Sequence, residues 1–398
     1  MKVKFSFITR NILWVIVGLG FLLRFWGLGI TPPSLYWDEV SQGYNSYSIL
    51  KTARDEHGEL MPLARFQAFG DYKAPVYIYL DVLPILIFGQ SEFAVRFPSA
   101  LLGSLTVLIA YFLTAEIFIG NKERKKISIL AAALLAISPW HIQLSRAAYE
   151  ANVATFFTIV GLFLFFYAVR KNLNYLFLSS LSFVIAFYSF NAHRIFIPLV
   201  VLLLLVIYHK QLLPSIKKVI SSGVFAFILL IPFLLYFQTP ESKLRFQEVN
   251  IFSDISVVEE SNKLVSEGGA NGIEKITHNR RVLYGLSYVK HYFDFYNPSY
   301  LFFKGDQNPR FSTQDSGELY LFILPLLLVG VLLVARSEGK TKYFLFGWLL
   351  LSPIAAATAR ETPHALRSET FIPIFEIFSG LGGVFLLGLL KQRRKFYI

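Results

Sequence analysis

The chain is dominated by apolar stretches of membrane length, separated by short clusters of Lys and Arg. A transmembrane helix needs about 20 apolar residues, because each residue advances the helix by about 1.5 Å through a hydrocarbon core of about 30 Å. Ile12–Ile30 is the first stretch that meets this requirement, and 55% of the 398 residues are hydrophobic. The sequence therefore predicts an all-α polytopic membrane protein with a single transmembrane domain over residues 1–398.

The basic clusters predict the orientation of the helices, because Lys and Arg are enriched in cytoplasmic loops. These clusters are Lys122, Arg124, Lys125 and Lys126; Arg170 and Lys171; Lys210, Lys217 and Lys218; Arg336, Lys340 and Lys342; and Lys391, Arg393, Arg394 and Lys395. All of them can be cytoplasmic in a plasma (inner) membrane protein whose two termini are cytoplasmic. About ten helices would then cross the membrane, at approximately 12–30, 99–119, 127–145, 153–169, 175–192, 194–209, 218–237, 319–335, 343–358 and 371–390.

One apolar segment, Pro75–Gly89, is short for a crossing and contains Asp81. If it spanned the membrane, every later basic cluster would move to the outer side. We therefore predict an interfacial or re-entrant helix on the outer face. The outer face then carries a first loop, 31–98, with juxtamembrane helices, and a second large loop, 239–318. Long loops at a surface often bind ligands, although a packed lid without chemistry is an equal alternative for the second.

Composition and missing motifs exclude several classes of function. The chain has no Cys, which excludes disulfides, thiolate catalysis and Cys-ligated metals. The net charge of +12 could suggest a nucleic-acid partner, but the basic residues lie between apolar spans and follow membrane topology instead. The sequence has no P-loop, no Gly-x-Ser-x-Gly and no His-Glu-x-x-His motif. Without a nucleotide-binding domain, an activated sugar would have to arrive as a lipid.

Two adjacent carboxylates, Asp38 and Glu39, follow the first span directly and are preceded by Tyr36 and Trp37. A general base needs a carboxylate in a partly dehydrated site, and an aromatic shelf at the outer edge of the bilayer offers one. The alternative is that an acidic residue caps the next helix, predicted over Val40–Arg54. One carboxylate can cap the helix while the other acts as the general base, so both are candidate catalytic residues.

Several basic side chains lie at the outer ends of the predicted spans, against the usual charge bias. A shared anionic ligand explains this placement, because guanidinium groups and ammonium groups both bind phosphate. The alternative for any single one is a snorkelling side chain or a local ion pair, and Arg24 inside the first span either snorkels or lines the site. Glu150 and Arg310 are candidates for an acceptor site or a second acidic position. The candidate phosphate ligands are Lys73, Arg96, Arg146, His193, Arg194, His364 and Arg367.

Four segments resemble membrane glycosyltransferases of the GT-C type. The segments are Trp37-Asp38-Glu39, Tyr72-Lys73-Ala74-Pro75, Gly89–Ser99 (with Arg96-Phe97-Pro98-Ser99 at its end), and Ser138-Pro139-Trp140-His141 with Arg146. The chain is most similar to the branch that contains protein O-mannosyltransferases and the lipid A aminoarabinose transferase. The resemblance extends over residues 10–210. Beyond that, Pro309-Arg310 and His364-x-x-Arg367 are the matching points.

The resemblance implies transfer of a hexose or pentose from a polyprenyl-phosphate donor to a hydroxyl, with inversion, on the extracytoplasmic face. Asp38 would be the general base, and Lys73 with the outer Arg and His residues would hold the phosphate. Glu150 falls where relatives place a second acidic residue. No cofactor or metal is required, although Asp38 with Glu39 or Glu150 could hold a divalent cation. The acceptor is undetermined: it could be a lipid, a glycan or a protein.

Two other classes of protein fit the same pattern. A lipid or small-molecule transporter or flippase would also contain buried polar groups, but it favours broken helices near the bilayer midplane. Here the charged residues gather at the outer ends of the spans, which favours chemistry at the membrane interface. A non-catalytic scaffold, or a polymer ligase that uses a lipid-linked oligosaccharide, is the third class.

Overall fold

The structure, a computed structural model, describes residues 2–243, 250–268 and 272–394. Most of these residues are helical, in agreement with the all-α prediction. The predicted second loop, 239–318, includes two segments outside the described residues, and Lys395 of the last basic cluster also lies outside them. The helices are α1 (Lys2–Phe25), α2 (Trp37–Thr52), α3 (Pro75–Phe88), α4 (Glu92–Ile117), α5 (Arg124–Ile137), α6 (Pro139–Ser145), α7 (Glu150–Arg170), α8 (Tyr175–Ser189), α9 (His193–Leu212), α10 (Ile216–Phe237), α11 (Ile255–Glu267), α12 (Gly272–Thr277), α13 (Arg280–Asp294), α14 (Ile323–Arg336), α15 (Lys340–Ala356) and α16 (Ile372–Arg394).

Length and composition identify fewer spans than the predicted ten. Among the described residues, four helical segments are long and apolar enough to cross a membrane: Glu92–Ile117, Glu150–Arg170, His193–Phe237 and Glu369–Lys391. A fifth is added if α5 and α6, which are bent by 57° at Pro139, count as one broken span. Four further apolar helical segments are shorter. The number ten therefore stays a prediction.

The segment His193–Phe237 is a hairpin of two helices rather than one straight rod. The guanidinium carbon of Arg194, at the start of α9, lies 4.7 Å from the ring centroid of Phe233, near the end of α10. About 40 residues of straight helix would instead separate these residues by about 60 Å. The chain reverses at a single 3-10 turn, Leu213–Ser215. Consequently the start of α9 and the end of α10 lie at the same end of the molecule.

The first connection contains a small β-hairpin that positions one candidate residue. Strands β1 (Phe66–Ala68) and β2 (Asp71–Lys73) are antiparallel, with Phe66 opposite Lys73. The two turn residues, Phe69 and Gly70, both have positive φ, which matches the right-handed twist of a two-residue hairpin. Phe66 is fully buried. The hairpin is therefore anchored, and it fixes Lys73 just before α3, the helix predicted at Pro75–Gly89.

Helices α14 and α16, late in the chain, approach each other closely because they carry glycine where they touch. A Cβ atom built on Gly330 of α14 would collide with the carbonyl oxygen of Phe378 in α16, and one on Gly382 of α16 would collide with the carbonyl oxygen of Leu326 in α14. Small residues let helix backbones approach closely in membranes, where packing replaces the hydrophobic effect. Helices α14 and α16 therefore form a tight pair.

Candidate active site

Asp38 lies in the first turn of α2 and pairs with a lysine from the β-hairpin. Its carboxylate contacts the ammonium group of Lys73, and 28% of the Asp38 side chain is exposed. Lys73 also approaches Asp71, at 3.5 Å. Burial disfavours the charged form of Lys73, but the carboxylates of Glu150 and Asp38 outweigh burial and raise the pKa of the ammonium group. Lys73 therefore stays positively charged beside an accessible carboxylate.

Glu39 points in a different direction from its neighbour and is 1% exposed. Its two oxygens accept hydrogen bonds from Arg96, with Nε–Oε1 at 3.0 Å and Nη2–Oε2 at 3.2 Å. They also accept bonds from the backbone N–H of Ala148, at 3.0 Å, and of Tyr36, at 3.2 Å. The bond from Tyr36 caps α2 at its N-terminus. The capping role considered for this pair of carboxylates thus falls to Glu39, and Asp38 remains accessible.

Arg96 of α4 is fully buried and holds the connection between α1 and α2 in place. Besides its bonds to Glu39, it donates to the carbonyl oxygens of Leu28 at 3.2 Å, Pro32 at 2.7 Å and Ser34 at 2.8 Å. A guanidinium group has five N–H donors, and these bonds use all of them. Arg96 has no donor left for a phosphate, so its predicted role as a phosphate ligand has no geometric support.

Glu150 and Arg194 complete the charged cluster around Asp38. Glu150 opens α7, interacts electrostatically with Lys73 and Asp38, and accepts a hydrogen bond from the side chain of Gln42. Its other carboxylate oxygen has no hydrogen-bond partner within the described residues. Arg194, at the start of α9, lies in the electrostatic range of Glu150. Two acidic and two basic side chains from α2, β2, α7 and α9 therefore converge.

Arg310 brings the later part of the chain to the same place. Its guanidinium carbon lies 5.5 Å from the ring centroid of Tyr36 and 5.6 Å from that of Phe311. Its carbonyl oxygen accepts a hydrogen bond from the hydroxyl of Tyr149 at 3.0 Å. Burial raises the pKa of both tyrosines, so their hydroxyls stay protonated. Because Tyr36 and Tyr149 directly neighbour the segments of Asp38 and Glu150, Arg310 borders the charged cluster.

The last two candidates, His364 and Arg367, lie near Arg310, and His364 packs against Phe311. The ring of His364 lies 4.6 Å from the ring of Phe311, and its Nδ1 lies 3.6 Å from Asp306 Oδ2. Burial, with the positive charges of Arg367 and Arg310, lowers the pKa of His364 to about 3. His364 is therefore neutral at pH 7. Arg367 interacts electrostatically with both Asp306 and His364.

Two other candidates, one cation and one imidazole, contribute to packing rather than to the charged cluster. Arg146 donates to the carbonyl oxygens of Leu23 at 3.0 Å and Thr31 at 2.9 Å and so caps the C-terminal end of α1. His193 is buried between the rings of Phe190 and Phe196. Neither residue lies in the charged cluster.

Arg24 neither snorkels nor lines the cluster, contrary to both expectations for it. It is fully buried and donates to the carbonyl oxygens of Leu135 and Ala136, at 3.1 Å each. It also lies 2.7 Å from His141 Nδ1. The carbonyl groups at the C-terminal end of α5 attract the cation there, which explains why it stays inside.

The structure thus divides the predicted site residues into two sets. Sequence reasoning also missed Gln42, which lies one helical turn beyond Asp38 and could have been found from helical spacing, and Tyr149, which no sequence signal marks. No group of three or more His, Asp or Glu side chains within the described ranges has the geometry of a metal site. The residues that converge are Asp38, Lys73, Glu150, Arg194, Arg310, His364 and Arg367; those that do not are Glu39, Arg96, Arg146 and His193.

The chain is an integral membrane protein of the GT-C glycosyltransferase type, as its match to a family model shows. The chain belongs to the dolichyl-phosphate-mannose-protein mannosyltransferase family, which it matches over residues 14–250, more than half of its length. This match confirms the resemblance seen in the sequence. No curated protein matches the chain by sequence.

Two solved structures illustrate the likeness. The chain is similar to an archaeal oligosaccharyltransferase from Archaeoglobus fulgidus in complex with an inhibitory peptide and a dolichol-phosphate, with a TM-score of 0.56, 15% identity, and coverage of 98% of this chain and 52% of that one. It is also similar to ArnT from Cupriavidus metallidurans bound to undecaprenyl phosphate, with a TM-score of 0.58, 10% identity, and coverage of 96% and 60%. The chain therefore spans only half to three fifths of these proteins, and the likeness concerns the fold.

Proposed function

We propose that the protein transfers a sugar, a hexose or a pentose, from a polyprenyl-phosphate donor to an acceptor hydroxyl on the extracytoplasmic face of the membrane. The observation that carries the proposal is the accessible carboxylate of Asp38, paired with Lys73 and bordered by Arg194 and Arg310. A base next to several cations suits a reaction in which one group loses a proton and another leaves as a phosphate. The family match and the polyprenyl phosphates bound by two fold neighbours support the same donor class.

In the proposed reaction, Asp38 takes the proton from the acceptor hydroxyl as the oxygen attacks the anomeric carbon. The bond between that carbon and the phosphate oxygen breaks, and polyprenyl phosphate leaves with the electron pair, so the sugar configuration inverts. The cations stabilise the departing charge, each well-placed donor contributing roughly 3–4 kcal/mol. The donor phosphate competes with Asp38 for Lys73, so donor binding frees the carboxylate for the acceptor.

The proposed phosphate ligands are fewer than those predicted from the sequence. Lys73, Arg194, Arg310 and Arg367 would supply positive charge, and neutral His364 would supply a hydrogen bond. Arg96, Arg146 and His193 are left out because of their contacts. Glu150, with one unused oxygen beside Gln42, would orient the acceptor.

Asp38→Asn tests the proposed base in a membrane assay with a panel of radiolabelled polyprenyl-phosphate sugars. Asn keeps the size of the side chain but cannot take the proton, so label transfer should fall roughly 10²–10⁴-fold while donor binding is retained. Asp71→Asn is the matched control, because it removes the other carboxylate near Lys73; it should reduce transfer less than tenfold. Near-parental transfer by a folded Asp38→Asn protein would contradict the mechanism.

Lys73→Ala and Arg367→Ala test the phosphate site. Each should weaken binding of a polyprenyl-phosphate sugar roughly tenfold or more, because a charge-assisted hydrogen bond is lost. Lys218→Ala, which removes an exposed lysine at the start of α10, serves as the control and should leave affinity unchanged. Equal affinity in all four proteins would remove the phosphate site from the proposal.

The proposed topology, with about ten spans and both termini cytoplasmic, can be tested by single-cysteine labelling, because the chain has no Cys. An impermeant reagent applied to intact cells should label His57→Cys and Glu361→Cys. It should label Lys122→Cys and Lys171→Cys only after the membrane is permeabilised. Labelling of Lys122→Cys in intact cells would show that Pro75–Gly89 crosses the membrane.

A further inference from the structure

A large cavity lies at the end of the helix bundle opposite Asp38. Helix α4 runs from Arg96, beside the candidate site, to Ile117, which lines this cavity. Ends of α1, α5, α14, α15 and α16 form the other walls, and the cavity volume is about 1200 Å³. This exceeds the roughly 300–1,000 Å³ typical of small-molecule pockets. The cavity is therefore large enough for a ligand with long chains.

The walls of the cavity are apolar. They include Leu130 of α5, Leu333 of α14 and Val384 and Phe385 of α16. A Cβ atom built on Gly388, which also lines the cavity, would meet no atom within 4 Å, so the space beside it is open. In a membrane, such an opening would be filled by hydrocarbon.

The rim of the cavity carries an excess of positive charge. It contains three lysines, Lys125, Lys126 and Lys391, and two acidic residues, Glu123 and Glu338. Lys126 and Glu123 pair with each other at 2.5 Å. Lys125 and Lys391 thus outnumber Glu338, the one acidic residue of the lining that remains. Basic side chains around an opening between transmembrane helices attract anionic lipid headgroups.

We propose that this cavity binds an anionic phospholipid, with its acyl chains against α5, α14 and α16 and its phosphate between Lys125 and Lys391. The two halves of the site match the two halves of the ligand, since an apolar interior opens at a basic rim. The site is separate from the charged cluster at Asp38 and does not depend on the proposed transfer reaction. A bound lipid would join the ends of six helices at the cytoplasmic side of the proposed topology.

Native mass spectrometry of the detergent-purified protein, titrated with phosphatidylglycerol or phosphatidylcholine, tests this site. The parent should retain phosphatidylglycerol preferentially. Lys125→Gln and Lys391→Gln should each weaken its binding roughly fivefold, since one basic group near an anionic lipid contributes about 1 kcal/mol. Both side chains are exposed, so these variants should fold. Lys218→Gln is the matched control outside the cavity and should bind like the parent.

Gly388→Phe tests the apolar half of the same site. The phenyl ring would occupy space that the lipid chains need, so retention of both lipids should fall. Phosphatidylglycerol should also raise the Tm of the parent, by mass action, but not that of Gly388→Phe. Equal retention of the two lipids by the parent would overturn the proposal. So would undiminished phosphatidylglycerol retention in the Lys125→Gln/Lys391→Gln double variant, because the lipid would then bind only to the general outer surface.

Discussion

The first connection, residues 31–98, and the helical segment 250–294 were both predicted to belong to large outer loops, but they are held in opposite ways. In the first connection, Glu39 and Arg96 form a buried pair, and Phe66 and Tyr77 are fully buried. In the second segment, α13 buries none of its residues and α11 buries only Ser261. The first connection is part of the core, and the second is attached to the outside of it.

The second segment is attached by polar contacts: tyrosine hydroxyls of α13 donate to α15, and Arg360 donates to the carbonyl oxygens of Asn250 and Ser253. Tyr288 and Tyr292 donate to the carbonyl oxygens of Ile354 and Leu350, at distances of 3.2 and 2.7 Å. Segments with few buried apolar contacts open locally before the rest of a protein unfolds. Both regions were predicted as long loops, but only the well-packed one supplies Asp38 and Lys73 to the candidate site. The comparison teaches that packing, rather than loop length, fixes charged groups relative to each other.

The largest expected effect comes from breaking the buried pair of the first connection. Arg96→Met should lower the free energy of unfolding by about 3–5 kcal/mol, because Glu39 would remain buried without its charged partner. The double variant Glu39→Gln/Arg96→Met should recover part of this loss, since no uncompensated charge is left. Chemical denaturation of the detergent-solubilised protein measures both. A single variant as stable as the parent would mean that this connection is not held by the pair.

The next effect concerns pH and Glu318, which follows the second segment and accepts a hydrogen bond from Asp306 N at 2.8 Å. Burial, with a contribution from the charge of Asp306, raises the pKa of Glu318 to about 8. The folded state then holds this proton more tightly than the unfolded state. The stabilising effect of the protonated Glu318 carboxyl is complete below about pH 4.5 and is lost as the pH rises through about 8. Each pH unit in this range changes the equilibrium constant of unfolding by at most tenfold.

Thermal unfolding of the parent and of Glu318→Gln across this pH range tests the linkage. The parent Tm should fall between about pH 5 and pH 8, and the slope should be smaller in Glu318→Gln, which cannot ionise. Parallel curves for the two proteins would assign the pH dependence to other groups.

The same substitution made in both regions sharpens the comparison. Tyr77 in the first connection donates to Val95 O at 2.8 Å inside the core, whereas Tyr292 donates to Leu350 O at the surface. Tyr77→Phe should lower global stability by about 1–3 kcal/mol, because a buried carbonyl loses its partner. Tyr292→Phe should cost about 0.5–1.5 kcal/mol, and only locally. Hydrogen exchange should speed up in α13 alone for Tyr292→Phe; faster exchange throughout the chain would contradict the local attachment.

The smallest effect is expected at an exposed ion pair of α11. Lys263 and Glu267 lie 3.8 Å apart, with side chains 72% and 60% exposed. Lys263→Ala should change stability by less than about 0.5 kcal/mol, because water screens the pair. Denaturation under the conditions used for Arg96→Met provides the contrast. A loss similar to that of Arg96→Met would mean that the second segment is packed as tightly as the first.

Helix positions could be predicted well from the sequence, because apolar length is a local property. The predicted spans 153–169 and 175–192 overlap α7 and α8, and the short helix predicted at Pro75–Gly89 is present as α3. The predicted span 127–145 is instead broken before Pro139, because proline lacks the N–H that a continuous helix requires. Whether α3 lies at the interface remains a prediction.

Which charged residues lie in the candidate site and which hold the fold together could not be predicted from the sequence. Lys73 and Arg96 are both outer cations with the same charge pattern around them. Only the folded chain shows that Lys73 meets the accessible Asp38, whereas Arg96 is buried against Glu39. Such pairs join residues far apart in the sequence, and adjacent carboxylates on a helix point in different directions. Sequence could therefore propose the set of candidates but not separate ligands from structural residues.

The contacts of Arg96 and Glu39 have a consequence for the order of events during synthesis. The connection after α1 leaves the ribosome early, but its carbonyl groups at Leu28, Pro32 and Ser34 are bound only once Arg96 has been made. The last partner of Glu39, the N–H of Ala148, follows about 50 residues later. A nascent chain that ends before Ala148 thus lacks one of the hydrogen bonds that hold Glu39, the neighbour of Asp38. The turn that carries the proposed base is therefore completed only when the chain has grown beyond α6.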